Sequence, residues 1–147
     1  MEEFAWADVA RLVDGCGLAH LSTASPAGDP HVAVVAPARE ADLIWVAART
    51  SSRKVANVRH NPKAALVWQG NGAETYLWGG ALVVADLAEK SRLWSSGLFP
   101  FEMAGFFVSA DSPDWALIRI IPDRVVAMVQ TASGLRRRTW SPGPRAS

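Results

Sequence analysis

Leu43-Ile44-Trp45-Val46-Ala47-Ala48 leads almost directly into Thr50-Ser51-Ser52-Arg53-Lys54-Val55-Ala56-Asn57-Val58-Arg59-His60-Asn61-Pro62. The first run is unbroken and apolar and reads as a strand. The second reads as a short helix with a hydroxyl-rich, basic start. Ser51 or Ser52 can cap that helix by accepting from an early backbone N–H, and Asn61-Pro62 stops it. A helix start leaves N–H groups unpaired and carries the positive end of the dipole. Hydroxyls, Arg53 and Lys54 gathered there therefore make a phosphate cradle. On local grounds alone an ordinary capped surface helix fits the same residues.

Upstream, residues 1–14 form an N-terminal helix with Phe4, Val9, Leu12 and Val13 on one face, ended by Gly15-Cys16-Gly17. Three extended runs follow: Leu18 to Ser25, Pro30 to Pro37 and Leu43 to Ala48. They are joined by turns at Pro26-Ala27-Gly28-Asp29 and Arg39-Glu40-Ala41-Asp42. Such short links favour an antiparallel meander.

Downstream, Ala64 to Trp68 is a fourth strand, and Gly70-Asn71-Gly72 turns into the long extended segment Glu74 to Asp86. Its Gly79-Gly80 pair predicts a bulge or bend. Leu87 to Ser95 reads as a second short helix with Asp86 at its start. The aromatic stretch from Ser96 to Phe107 is irregular and reads as either a lid over a site or part of a dimer interface. Two more strands, Trp115 to Ile121 and Val125 to Thr131, are separated by Pro122-Asp123. Ser133-Gly134 then turns the chain into Leu135 to Trp140, and residues 141–147 read as a loose tail. Seven or eight strands with only short helices make this an all-β barrel with short helices (α+β), not a doubly wound sheet.

The chain has 147 residues, half of them hydrophobic and a fifth charged, which suits one globular domain over residues 1–147. A formal charge of +1 gives no reason to expect nucleic acid, although Arg136, Arg137, Arg138 and Arg145 concentrate positive charge late in the chain. Cys16 is the only cysteine, so no intrachain disulfide forms and a reducing cytoplasm is the expected setting. No apolar stretch approaches membrane-spanning length, and no membrane partner is expected. His20, His31 and His60 are scattered without metal-ligand spacing, and no metal site is expected.

With this strand order laid out, the chain resembles the pyridoxamine 5'-phosphate oxidase-like FMN-binding split-barrel superfamily, and within it the general stress protein and deazaflavin-dependent reductase branch. Three features carry the likeness. Leu21-Ser22-Thr23 to Gly28-Asp29-Pro30-His31-Val32 is similar to the opening hairpin. Thr50 to Pro62 is similar to the phosphate-binding segment. Leu93-Trp94 through Phe107, with Asp111-Ser112-Pro113-Asp114 and Ile118 to Pro122, is similar to the late loop and strand.

The resemblance implies an antiparallel split β-barrel and a homodimer with the cofactor at its interface. It also implies that Arg53 and Lys54 hold phosphate, with Thr50, Ser51 and Ser52 as donors beside them. Val34, Val35 and Ala36 would face the isoalloxazine ring, and Trp94 would cover it. No residues match those that bind substrate phosphate in the vitamin-synthesising oxidase, which argues against pyridoxamine phosphate as substrate. The implied function is FMN-dependent oxidoreduction of an unidentified small molecule. A deazaflavin (coenzyme F-420)-dependent reductase and a non-enzymatic flavin-binding stress protein are the alternatives. No residue stands out as a catalytic base, because a flavin performs the redox step itself.

Overall fold

The structure, a computed structural model, describes residues 3–144. Met1 and Glu2 of the expected N-terminal helix, and residues 145–147 of the expected tail with Arg145, lie outside the described residues. Helix α1 (Trp6–Val13) precedes strands β1 (Ala19–Ala24), β2 (Pro30–Val35), β3 (Ala38–Glu40) and β4 (Leu43–Arg49). Helix α2 (Arg53–His60), β5 (Lys63–Gly70), β6 (Ala73–Val84), α3 (Leu87–Trp94), β7 (Trp115–Thr131) and β8 (Gly134–Trp140) complete the chain.

The eight strands form one antiparallel sheet in the order β2-β1-β5-β6-β7-β4-β3, with β8 also on β7. Strand β7 organises it. Along one edge β7 pairs with β6 over nearly its whole length. Along the other edge Trp115 to Ile120 pair with β4, and Val125 to Thr131 pair with β8. One edge is thus shared between two partners, and the sheet is a split barrel.

Two apolar clusters lie on opposite faces of this sheet. Alternation in β1 and β5 buries Leu21, Leu66 and Trp68 in an inner core with Val9, Ile44, Leu77 and Val125. Helix α2 covers this side. Its Val55 and Val58 are buried, and Asn57 donates to the Thr23 hydroxyl of β1 at 3.1 Å, so the polar pair enters the core satisfied. The opposite face carries a second core, where Trp45 and Leu117 pack with Leu93 of α3 and with Trp115, Phe99, Met103 and Phe107.

The aromatic stretch after α3 is therefore mostly built into the chain's own second core. Phe99, Met103 and Phe107 are buried there, whereas Phe106 and Val108 are exposed. Asp86 caps α3 as expected, accepting from the Glu89 N–H at 3.0 Å.

Three other expectations change. The meander stops at two strands: β1 pairs with β2, but β4 lies on the far side of the sheet, beside β7. Ala38–Glu40 is a short strand, which reduces the predicted turn to Ala41 and Asp42, with Ala41 in the left-handed region at φ 52°. The predicted break at Pro122-Asp123 does not occur, and β7 runs through as one strand. Its missing N–H is absorbed where the β6–β7 register shifts between Trp78 and Gly79, a bulge that places Gly79 opposite Pro122.

Candidate functional site

Strand β4 ends at Arg49, opposite Trp115 of β7. The next residue is pinned: Thr50 donates its N–H to the Asp114 carbonyl at 2.9 Å and its hydroxyl to the Pro113 carbonyl at 3.1 Å. Ser52 then turns the chain, donating its N–H to the Arg49 carbonyl at 3.0 Å, and its hydroxyl oxygen accepts from the Val55 N–H at 3.4 Å. The Ala56 N–H reaches the Ser52 carbonyl at 3.1 Å. Among the described residues the backbone N–H groups of Arg53 and Lys54 have no partner, at the positive end of α2.

A cleft of about 230 Å³ opens at this helix start. Arg49, Ser52 and Lys54 line its polar side, and Phe106 and Phe107 form its apolar wall. Arg49 donates to the Phe106 carbonyl at 3.1 Å, and its guanidinium lies 5.9 Å from the centre of the Phe107 ring. Phe107 stacks on Trp115 at 5.2 Å, and the Trp115 indole N–H is held by the Ser109 carbonyl at 2.9 Å. The wall is thus fixed from behind.

Lys54 is half-buried, and burial alone pushes its pKa below the ordinary lysine value, with no carboxylate acting against that shift. A partly desolvated ammonium without a counter-ion, next to two free helix-start N–H groups, fits a phosphate oxygen. The sign of its pH dependence follows. The folded state loses the Lys54 proton at lower pH than the unfolded chain, so between those two values the unfolded state binds more protons and stability rises with pH.

Affinity for an anion runs the other way, because only the protonated amine attracts it. Calorimetric titration with a phosphate monoester from about pH 7 upward is expected to show affinity falling before the usual lysine range near pH 10 is reached. In Lys54→Arg the fall moves to higher pH. A flat profile in the native protein would exclude Lys54 from anion binding.

The other expected site residues are dispersed. Ser51 and Arg53 are exposed beside the cleft, and Thr50 spends both its donors on the segment before β7. On β2, Val34 is exposed on the outer face and Val35 turns into the inner core, with Ala36 half-buried just beyond the strand. None of these three lines the cleft at α2. Trp94 packs on Trp115 at 5.8 Å and opens on a neighbouring cleft, across the contact of Phe101 with Phe106. Arg49 was missed. The alternation Trp45, Ala47, Arg49 places it on the face that carries Trp115, and its position just before the hydroxyl run is the signal that identifies it.

Residues 5–128 match the family described as pyridoxamine 5'-phosphate oxidase. The chain belongs to that family. Among solved structures it is similar to a protein related to general stress protein 26 from Clostridium acetobutylicum, of the pyridoxinephosphate oxidase family. The identity is 19%, 92% of each chain is covered and the TM-score is 0.73. It is also similar to a pyridoxamine 5'-phosphate oxidase-related, FMN-binding protein from Nostoc punctiforme, at 14% identity over 98% of this chain and 100% of that one, TM-score 0.65. An F420 reductase matches at 21% identity over 79% of this chain and 94% of that one, TM-score 0.62. No curated protein sequence matches significantly.

In this member Arg136 to Arg138 lie on β8 against Ala127 to Val129, whereas the cleft stands at the Trp115 end of the same long strand. Cys16 sits in the turn after α1, its thiol 3.1 Å from the Leu12 carbonyl, and burial followed by the Asp14 charge raises its pKa. It has none of the thiolate character of a reactive cysteine. Among the described residues no helix is long and apolar enough to cross a membrane.

Proposed function

We propose that this chain is an FMN-dependent oxidoreductase whose phosphate-binding end is the cleft at the start of α2. The observation that carries the reading is Lys54: half-buried, without a counter-ion, and set beside the free N–H groups of Arg53 and Lys54. Ser52 keeps its hydroxyl proton available to an anion while its oxygen holds the Val55 N–H. Arg49 adds charge from the strand side, Arg53 adds it from the rim, and Ser51 offers a hydroxyl there. Thr50 positions the segment instead of donating to the ligand.

Backbone groups of Val34, Val35 and Ala36 orient the ring. The bound cofactor supplies the electron or hydride transfer, and the protein contributes binding, orientation and exclusion of water. The site is completed by a second copy of the chain. Val32 and Val34 are 66% and 62% exposed on an outer face that also carries Tyr76 and Trp78, beside Val67 and Ala65. An apolar face of this kind is expected to be covered. The substrate is a small molecule, and the location is the cytoplasm.

The likeness to an F420 reductase supports a second reading, in which the cofactor is a deazaflavin. The arginines of β8 give it little help within one chain, because they stand at the far end of β7. Mass spectrometry of ligand released from native protein, with parallel titrations of FMN and deazaflavin, decides between them. Yellow protein that releases FMN is expected. Colourless protein that ignores FMN and quenches added deazaflavin would select the rival.

A further inference from the structure

Helix α3 and the segment behind it enclose a second cleft, of about 460 Å³, that the phosphate cradle does not use. Its walls include Trp94, Phe99, Phe101 and Met103, and among the described residues Glu102 is its one ionisable lining residue. Trp94 is braced by Trp115, and Phe99 packs against Phe101 at 5.5 Å, so the aromatic walls are held by the second core.

The charge balance is one-sided. No basic side chain lines the cleft. The cations around it are engaged elsewhere: Lys90 donates to the Ser112 carbonyl at 2.6 Å, Arg49 donates to the Phe106 carbonyl, and Arg92 pairs with Glu89 at 2.7 Å and with Glu40. Among the described residues the Glu102 carboxylate has no hydrogen bond and no ion pair.

Aromatic rings attract a cation through their negative faces, a thioether adapts to an apolar surface, and a free carboxylate supplies the counter-charge. An anion is disfavoured by Glu102, and a neutral apolar molecule makes no use of it. We propose that this cleft binds a small organic cation, an alkyl- or quaternary ammonium compound, against Trp94, Phe99 and Phe101 with Glu102 as its counter-ion. This site is separate from the cofactor cleft and independent of which cofactor that cleft holds.

Calorimetric titration of the purified chain with choline, and with its uncharged carbon isostere in which a tert-butyl group replaces trimethylammonium, tests this. Choline is expected to bind at one site about tenfold tighter than the isostere. Glu102→Gln, an exposed change that leaves the melting temperature alone, is expected to weaken choline by about two- to fivefold and leave the isostere as it was. Trp94→Phe is expected to retain choline binding, because an aromatic ring remains in that wall. Equal affinity for the two compounds, unchanged choline affinity in Glu102→Gln, or no saturable binding of choline would each overturn the assignment. No flavin enters the measurement, so its outcome is distinguishable from that of the cofactor titrations.

Discussion

Lys54→Ala is expected to weaken FMN retention by about ten- to a hundredfold with little change in melting temperature. The size follows from what the substitution removes. A hydrogen bond from a cation to phosphate is worth about 1.5–3 kcal/mol, and about 1.4 kcal/mol is a factor of ten in affinity. The small effect on folding follows from what Lys54 lacks. Among the described residues it has no carboxylate or hydrogen-bond partner, and its burial disfavours the charged form. Alanine removes that penalty and leaves Val55 and Val58, the buried face of α2, untouched. Lys54→Arg, which keeps the charge, is expected to recover most of the affinity. Titration of apo-protein with FMN, alongside a thermal melt, separates the two effects. Unchanged FMN affinity in Lys54→Ala would remove the phosphate-site reading, and a collapse of the melting temperature would make Lys54 a structural residue.

The strand from Leu43 and the helix that follows were legible because their signals are local. An apolar run, a Ser cap and Asn61-Pro62 lie within a few residues of one another, and no distant contact is needed to decide them. Pro122 shows the opposite case. Proline normally interrupts a strand, and only the bulge in β7, opposite Trp78 and Gly79 of β6, shows that this one is accommodated. The aromatic stretch after α3 has no period that assigns it a face. Which of its rings are buried depends on the outer surface offered by Trp45, Leu117 and Trp115, far away in sequence. The site divides in the same way. Ser52 and Lys54 could be placed at the helix start because the cap defines it. Arg49 and the wall of Phe106 and Phe107 meet them only through the pairing of β4 with β7. Trp94 was placed by its neighbourhood in the chain, and sequence proximity does not tell which of two adjoining clefts a helix-end side chain enters.

Gly79→Ala is expected to destabilise the protein by about 3 kcal/mol or more, lowering the melting temperature by roughly 6–12 °C for a domain of this size. A Cβ at this position would lie 2.3 Å from the Ile121 carbonyl oxygen and 2.9 Å from its carbonyl carbon. Both atoms are backbone in β7, so no rotamer change relieves the clash, and the two strands must part where the register shifts. The damage is not confined to that point. Before the bulge, β7 carries Trp115 and Leu117 of the second core and pairs with β4, which ends at Arg49. After it, β7 presents Val125 to the inner core and pairs with β8. One extra residue in β7 lets each half of the strand present the correct face, and a slip of one position would turn one half's side chains to the wrong side. Gly80→Ala is the internal control. Its Cβ would meet nothing closer than the Pro62 carbonyl oxygen at 4.0 Å, and its backbone is outside the left-handed region, so the melting temperature is expected to hold or rise slightly. Urea melts of the two variants read the difference directly. If Gly79→Ala unfolded together with Gly80→Ala, the close approach of β6 and β7 would not be what keeps the two cores in register.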